Sequence, residues 1–241
     1  MALENCFVKT LNNMGYMTKS LDATSLDFVQ FAGGKTGPQL PVMDVGSAFG
    51  VASLPCVKNH HHLQVWVNDL DGAHLDAMEE ELNAGERERL RKLPGDFLTL
   101  ALPKDCLRAI IVSRVLHFLE PAAVQRAFQL FAQWLAPGGR LYVTAETPYV
   151  SNFRAFHPIY SQRLQNGDEW PGLVRNVQEI DPYRGAALPS FFHFLNPSIL
   201  RREAERAGLQ VLESDFFGRP EFPADIQMDG RESAFLICVH P

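Results

Sequence analysis

The sequence predicts an α/β fold, a doubly wound and mostly parallel sheet covered by helices on both faces. Three observations lead there. Short apolar runs alternate with longer segments whose apolar residues recur every three or four positions, giving the order strand, helix, strand, helix. The runs Val42-Met43-Asp44-Val45 and Ala109-Ile110-Ile111-Val112 are close to continuous rather than alternating, as strands buried on both faces are. The breaks between segments hold Gly, Pro, Asn and Asp, so the connections are short.

Taken in order, the opening segment is expected to be helical, because Phe7, Leu11 and Met14 recur at i, i+4 and i+7 and a second stripe runs through Leu21, Leu26 and Val29. Gly33, Gly34, Gly37 and Pro38 end it. Residues 40–45 are the first strand, closed by Gly46, and a helix follows from about Gly50. Leu63 to Val67 is the second strand, ending at Asn68-Asp69; the next helix carries Glu79, Glu80 and Glu81 on a solvated face. The stretch from Glu86 to Lys92 is charged and helix-like, so a strand is poorly marked there. Leu107 to Ser113 is a clear strand, and Pro121, in a first helical turn, begins a helix with Val124, Phe128, Phe131 and Leu135 on one stripe. That helix is expected to stop at Ala136-Pro137-Gly138-Gly139 with a glycine in the left-handed cap, before a strand over residues 140–145. Asn196-Pro197 starts the last helix, Gly208 stops it, and residues 209–217 and 234–239 are two closing strands.

Composition narrows the function. The 22 Lys and Arg against 28 Asp and Glu leave a net charge of −6 with no basic stripe, which disfavours a nucleic-acid partner. No apolar run is long enough for a membrane anchor or a secretory leader, so the expected setting is cytoplasmic. Cys6, Cys56, Cys106 and Cys238 form no CxxC pair, which excludes a zinc knuckle and favours reduced thiols. His60-His61-His62 precedes the second strand, at the sheet end opposite the expected site; it reads as a solvated loop, and no metal is expected.

Ligands in such sheets bind beyond the C-terminal strand ends, at the point where strand order reverses. The first loop there is Asp44-Val45-Gly46-Ser47-Ala48-Phe49-Gly50, whose small residues let backbone approach a ligand and expose helix N-terminal N–H groups. A dinucleotide fingerprint counted from Gly46 would need glycine where Ala48 and Val51 stand, which weakens a nicotinamide reading. Asp69 follows Gly50 by 19 residues, close to the spacing at which a carboxylate accepts both ribose hydroxyls; Asn68 and Asp71 compete for that role or for capping the next helix.

With VMDVGSAFG, VWVNDLD, PGDFLTL, IIVSRVLHFL and LAPGGRLYV in this order, the chain resembles the class I S-adenosylmethionine-dependent methyltransferases, well over residues 40–145 and more loosely over 191–241. The resemblance implies a Rossmann-like sheet of seven strands with the last antiparallel, and S-adenosyl-L-methionine as cofactor across the strand ends. It places Asp44 and Gly46, with Ser47, Ala48 and Gly50 of the same loop, beside the methionine part. Asp69 with Leu70 would hold the ribose, Asp96 and Phe97 would flank the adenine, and Ser113 and Arg114 would touch the cofactor through backbone atoms. One domain spans 1–241: an N-terminal helical lid (1–38), the cofactor-binding core (40–145), a substrate-covering insertion (146–195) and a C-terminal helix with two strands (196–241).

Methyl transfer from a sulfonium is an in-line displacement in which alignment and exclusion of water supply most of the acceleration, so few charged groups are needed. If a general base serves, the candidates are His117, Tyr149 and His193, with His157 behind them. The insertion holds nine aromatic residues in the 46 from Tyr149 to Phe194, about double the 10% of the whole chain, with Arg154, Arg163, Arg175 and Arg184 among them. That points to a small apolar or aromatic acceptor, methylated at O, N or C, with an anionic group matching the arginines. Rival readings are a protein methyltransferase and a catalytically silent methyltransferase-like binding module. The oligomeric state is open, a homodimer being one option.

Overall fold

The computed structural model describes residues 7–11, 16–180 and 190–241. Two short strands, β1 (Phe7–Lys9) and β2 (Tyr16–Thr18), pair antiparallel, and helix α1 (Ala23–Gly33) follows. The core then runs β3 (Val42–Val45), α2 (Ser53–Asn59), β4 (Val65–Asp69), α3 (Gly72–Glu80), α4 (Ala84–Arg87), β5 (Leu90–Pro94), β6 (Leu107–Ser113), α5 (Pro121–Trp134) and β7 (Leu135–Glu146). The insertion holds α6 (His157–Gln165), β8 (Leu173–Val174), α7 (Val177–Ile180) and β9 (Phe192–His193). Helix α8 (Pro197–Arg206) and strands β10 (Gln210–Phe217) and β11 (Ser233–Val239) close the chain.

Seven strands form one sheet in the order β10-β11-β7-β6-β3-β4-β5. β3 to β7 are parallel, and β11 slots between β10 and β7 antiparallel to both, as the resemblance implies. Side chains alternate across the sheet with the period of two that a strand imposes. Ile110, Val112, Leu141 and Val143 face a core shared with α5 and α8, whereas Ala109, Ile111 and Tyr142 face the one under α1, α2 and α3. The chain steps from β3 outward to β4 and β5, then returns to β6 on the other side. The reversal point therefore lies between the C-terminal ends of β3 and β6.

Three expectations are corrected. The Phe7-Leu11 part of the first stripe is a hairpin, not a helix: Phe7 stands opposite Thr18 and Lys9 opposite Tyr16, so strand-forming residues pair across a turn and override a short helical period. Met14 and Cys6 lie outside the described residues. The charged stretch before Pro94 holds an edge strand, β5. There Lys92 Nζ reaches Asp76 at 2.7 Å and Glu79 at 2.6 Å, and the Arg91 guanidinium lies 4.3 Å from the Trp66 ring centroid. Its charges are satisfied by neighbours rather than by a helix face. Helix α5 ends at Trp134, with Leu135 already extended. Gly138 (φ +78°) and Gly139 instead serve the start of β7, where a Cβ on Gly139 would meet the Ala136 and Arg108 carbonyls at 2.8 and 2.9 Å.

The signals at the last helix act as read. Asn196 caps α8 by accepting from the Ile199 N–H at 2.9 Å, and Gly208 turns out of it at φ +83°. His60, expected in a solvated loop, is half-buried and donates from Nε2 to the Val29 carbonyl at 3.1 Å, so this histidine ties the end of α2 to α1. Among the described residues no helix is long and apolar enough to cross a membrane, and no cluster of three His, Cys, Asp or Glu could hold a metal.

Candidate active site

A cleft of about 680 Å³ opens across the ends of β3, β4, β6 and β7, within the range of roughly 300–1,000 Å³ usual for small-molecule sites. On its inner side the loop after β3 takes a path few side chains tolerate. Gly46 (φ +69°), Ala48 (φ +44°) and Gly50 (φ +76°) are all left-handed. Ala48 accepts this conformation because its N–H is held by Asp69 Oδ2 at 2.9 Å. A Cβ on Gly46 would stand 2.3 Å from Val115 Cγ2, so the glycine is required by the loop after β6 as well as by any ligand.

Asp44 sits at the base, buried, with the Ser53 hydroxyl donating to Oδ2 at 2.5 Å. Burial, eased by Ser53 and reinforced by the nearby Asp69, pushes its carboxyl up to about 7. Asp69 ends β4 with three donors on its carboxylate: the Ala48 N–H, the Asp71 N–H at 3.0 Å and, at 3.0 Å, His74 Nδ1. A carboxylate offers about four lone-pair positions. Asp69 thus has room for one further hydroxyl while these bonds stand, rather than for the two expected.

Its competitors have other tasks. Asn68 Nδ2 clamps β5 by donating to the Leu93 carbonyl at 2.7 Å and the Gly95 carbonyl at 2.9 Å, and Asp71 caps α3 at the Ala73 N–H. Leu70, Asp96, Phe97 and Ser113 also line the cleft. Asp96 is exposed and caps the turn at 97–99, while Phe97 is buried and stacked on Phe131 with centroids 5.7 Å apart. Gly50 is not in the cleft wall; its Cα faces Met78, where a Cβ would lie 2.7 Å from the sulfur.

Arg114 follows β6 in the left-handed region (φ +59°), and its N–H is held by the Thr144 carbonyl at 2.8 Å. Its guanidinium pairs with buried Glu146 at the end of β7 and lies 5.5 Å from the Phe222 ring centroid. Phe118, Phe153, Phe192, Phe194 and Phe222 line the same cleft as a phenylalanine chamber, the first four packed in one aromatic cluster.

Of the candidate bases the structure brings one to the cleft. His117 is buried and stacked on Phe192 at 4.5 Å, with no partner for Nδ1. Burial, with Arg114 and His193 nearby, holds its basicity well below the usual imidazole range. His193 lies behind the wall, with Nδ1 on the Leu119 carbonyl at 3.0 Å, its pKa drawn down to about 4 by burial. Tyr149 packs on Phe216, Tyr160 and the Arg231 guanidinium, and His157 Nε2 bonds the Pro148 carbonyl; neither lines the cleft. For His193 the cause is strand alternation: Phe192 and Phe194 on either side of it line the cleft and His193 does not, and a sequence without known dihedrals does not say which side is which.

The insertion's arginines are also turned away. Arg163 donates to the Pro171 and Leu173 carbonyls, Arg175 pairs with Glu120, and Arg154 is exposed outside the cleft wall; Arg184 lies outside the described residues. Among the described residues, an anionic group on the acceptor therefore finds none of these arginines in the cleft wall. Sequence reading missed Glu146, the hairpin residues Thr10, Met17 and Thr18, and Phe222 and Ile226 of the loop before β11. That loop is gathered by one carboxylate: Glu232 Oε1 accepts from the N–H groups of Met228, Asp229 and Gly230, and Oε2 from that of Arg219. Glu146 alone carried a signal, as the last residue of a strand at the expected end of the sheet.

A model of the methyltransferase domain family matches residues 42–139, the segment from β3 to the start of β7. Over that segment the chain is similar to methyltransferase domains. Solved structures agree in fold. An S-adenosylmethionine-dependent methyltransferase from Mesorhizobium loti superposes with a TM-score of 0.59 at 20% identity, covering 90% of this chain and 98% of the other. The glycopeptide N-methyltransferase MtfA, complexed with S-adenosylmethionine, gives 0.57 at 17% identity over 91% and 88%. A sarcosine dimethylglycine methyltransferase homologue from Galdieria sulphuraria gives 0.57 at 14% over 90% and 83%. No curated protein matches the sequence.

MtfA is solved with S-adenosyl-L-methionine, and the residues of this cleft fit that cofactor. The Ser47 hydroxyl is buried in the cleft wall without a hydrogen-bond partner. Four carboxylates, Asp22, Asp44, Asp69 and Asp96, line the cleft as well, suited to a cation.

Proposed function

We propose that this methyltransferase transfers a methyl group to a small apolar or aromatic molecule held in the phenylalanine chamber. The observation that carries the reading is one cleft with two kinds of lining: the polar, backbone-rich glycine loop with Asp69, and five phenylalanines, one of them against the Arg114 of the Arg114–Glu146 pair. Bound in the first half, S-adenosylmethionine supplies a methyl group on a sulfonium with a neutral leaving group. Asp69 holds a ribose hydroxyl, Ser47 and the backbone of residues 46–48 hold the methionine part, and Leu70, Asp96 and Phe97 border the adenine. Ser113 and Arg114 contribute backbone at the boundary.

The chain's share of catalysis is alignment in a dry chamber. Phe153, Phe192 and Phe222 position the acceptor's apolar body. His117, kept neutral by burial, offers a lone pair that orients the acceptor's N–H or O–H; its depressed basicity suits orientation better than deprotonation. Arg114 is committed to Glu146, so the chamber favours a neutral acceptor.

The test uses S-adenosylmethionine carrying a labelled methyl group, incubated with the protein and a cell extract, which is then separated by ultrafiltration. Label in the small-molecule filtrate is expected. Label confined to retained protein would move the reading to protein methylation. Binding of S-adenosylhomocysteine without any transfer would favour the silent binding module.

A further inference from the structure

His74 is fully buried on α3, five residues beyond Asp69, and lines the cleft. Its Nδ1 lies 3.0 Å from Asp69 Oδ1, and its Nε2 accepts a hydrogen bond of 2.8 Å from the backbone N–H of Leu11 in the N-terminal hairpin. A backbone N–H can only donate, so Nε2 carries the lone pair and the ring hydrogen sits on Nδ1, facing the carboxylate. Phe49 of the glycine loop meets the ring edge-on at 4.9 Å. One imidazole thereby joins the hairpin, α3, the end of β4 and the glycine loop, and hairpin residues Thr10, Met17 and Thr18 wall the outer side of the cleft.

We propose that His74 is a positioning residue that latches the β1–β2 hairpin over the methyl donor, coupling ribose engagement at Asp69 to closure of the cleft. The inference rests on the methyltransferase reading above. The Nδ1–H bond to a carboxylate is charge-assisted and fixes the ring plane. With the plane fixed, Nε2 aims at Leu11, and the hairpin is held where its side chains cover the donor. A hydroxyl taking the remaining lone pair of Asp69 tightens the same group of bonds, so donor binding and hairpin docking stabilise each other.

Two variants separate the bonds. His74→Phe keeps the ring packing against Phe49 and removes both nitrogens. His74→Asn places an amide nitrogen where Nδ1 stands but does not reach Leu11. Affinity for S-adenosylhomocysteine is measured by calorimetry, and hairpin docking by the rate of trypsin cleavage at Lys9 and Lys19, exposed residues on either side of the turn. In the unaltered protein, saturating S-adenosylhomocysteine should slow cleavage by about tenfold or more. In His74→Phe the ligand should give no protection even at saturation, and Kd should rise about tenfold or more. In His74→Asn protection should be lost and Kd should rise by up to about tenfold, less than in His74→Phe because the bond to Asp69 survives. Wild-type Kd together with wild-type protection in His74→Phe overturns the latch, as does a hairpin cut equally fast with and without ligand in the unaltered protein. If His74→Phe fails to fold, judged by its melting temperature without ligand, retained protection in His74→Asn overturns it alone. No binding of S-adenosylhomocysteine by the unaltered protein would instead remove the methyltransferase reading.

Discussion

Ala48 shows how a single residue carries the tension of the donor loop. A left-handed backbone costs an L-residue about 1–2 kcal/mol, and here φ is +44°. Ala48→Gly should therefore raise stability by roughly 0.5–1 kcal/mol, part of the relief being lost to the extra freedom of glycine in the unfolded chain. Urea unfolding checks this; a destabilised Ala48→Gly would mean that the alanine methyl packs more than the strain costs. The neighbouring acids separate in the same way. Asp71→Ala removes the cap of α3 and should cost about 1 kcal/mol with little change in S-adenosylhomocysteine affinity. Asp69→Ala leaves the Ala48 N–H, the Asp71 N–H and His74 without their acceptor, and should weaken that affinity about 10- to 150-fold. Calorimetry on both variants decides; equal losses would place the ribose elsewhere.

At the scale of elements, the insertion divides into a wall and a buttress. Phe153 faces the cleft and meets Phe194 at 4.8 Å, so Phe153→Ala should cut methyl transfer to the acceptor by about tenfold or more while S-adenosylhomocysteine binding changes little. Tyr149 braces Tyr160 and Phe216 from outside; Tyr149→Ala should lower the melting temperature and leave KM for the acceptor near its original value. Steady-state kinetics with thermal melts separates the two, and a raised acceptor KM in Tyr149→Ala would return that residue to the chamber. The same contrast marks what the sequence could reveal. β3, β4 and β6 were legible because burial on both faces leaves an apolar run, and the positions just after them supplied Asp44, Gly46, Asp69 and Ser113. β5 was not, since an edge strand can spend Arg91 on Trp66 and Lys92 on two carboxylates. The hairpin and His74 were illegible for a different reason: their meaning lies in a contact 63 positions apart, between Leu11 and His74.

For the whole molecule, burial of titratable groups sets opposing pH dependences. Folding raises Asp44 from 3.8 to about 7, so its contribution is full below about 4 and is lost as pH rises to 7. His193, lowered from 6.5 to about 4, and His117, lowered in the same direction, act oppositely: their contributions are full above about 6.5 and are lost as pH falls. Asp44→Asn keeps an acceptor for Ser53 and removes only the first dependence. Relative to the unaltered protein, this variant should gain stability from pH 4 to 7, by on the order of 3 to 4 kcal/mol. Urea midpoints across that range check it, and parallel curves would show that Asp44 does not titrate in the window. The loop before β11 carries a consequence of another kind. Because Glu232 gathers four N–H groups by itself, the ends of that loop are tied inside the fold, and Phe222 and Ile226 between them reach the chamber without supporting the sheet. Under the function proposed above, acceptor choice then rests on a loop that lies outside both cores of the sheet and leans only on the insertion. Residues 221–226 would form a cassette that inheritance or an engineer can exchange, giving the same donor machinery a different clientele.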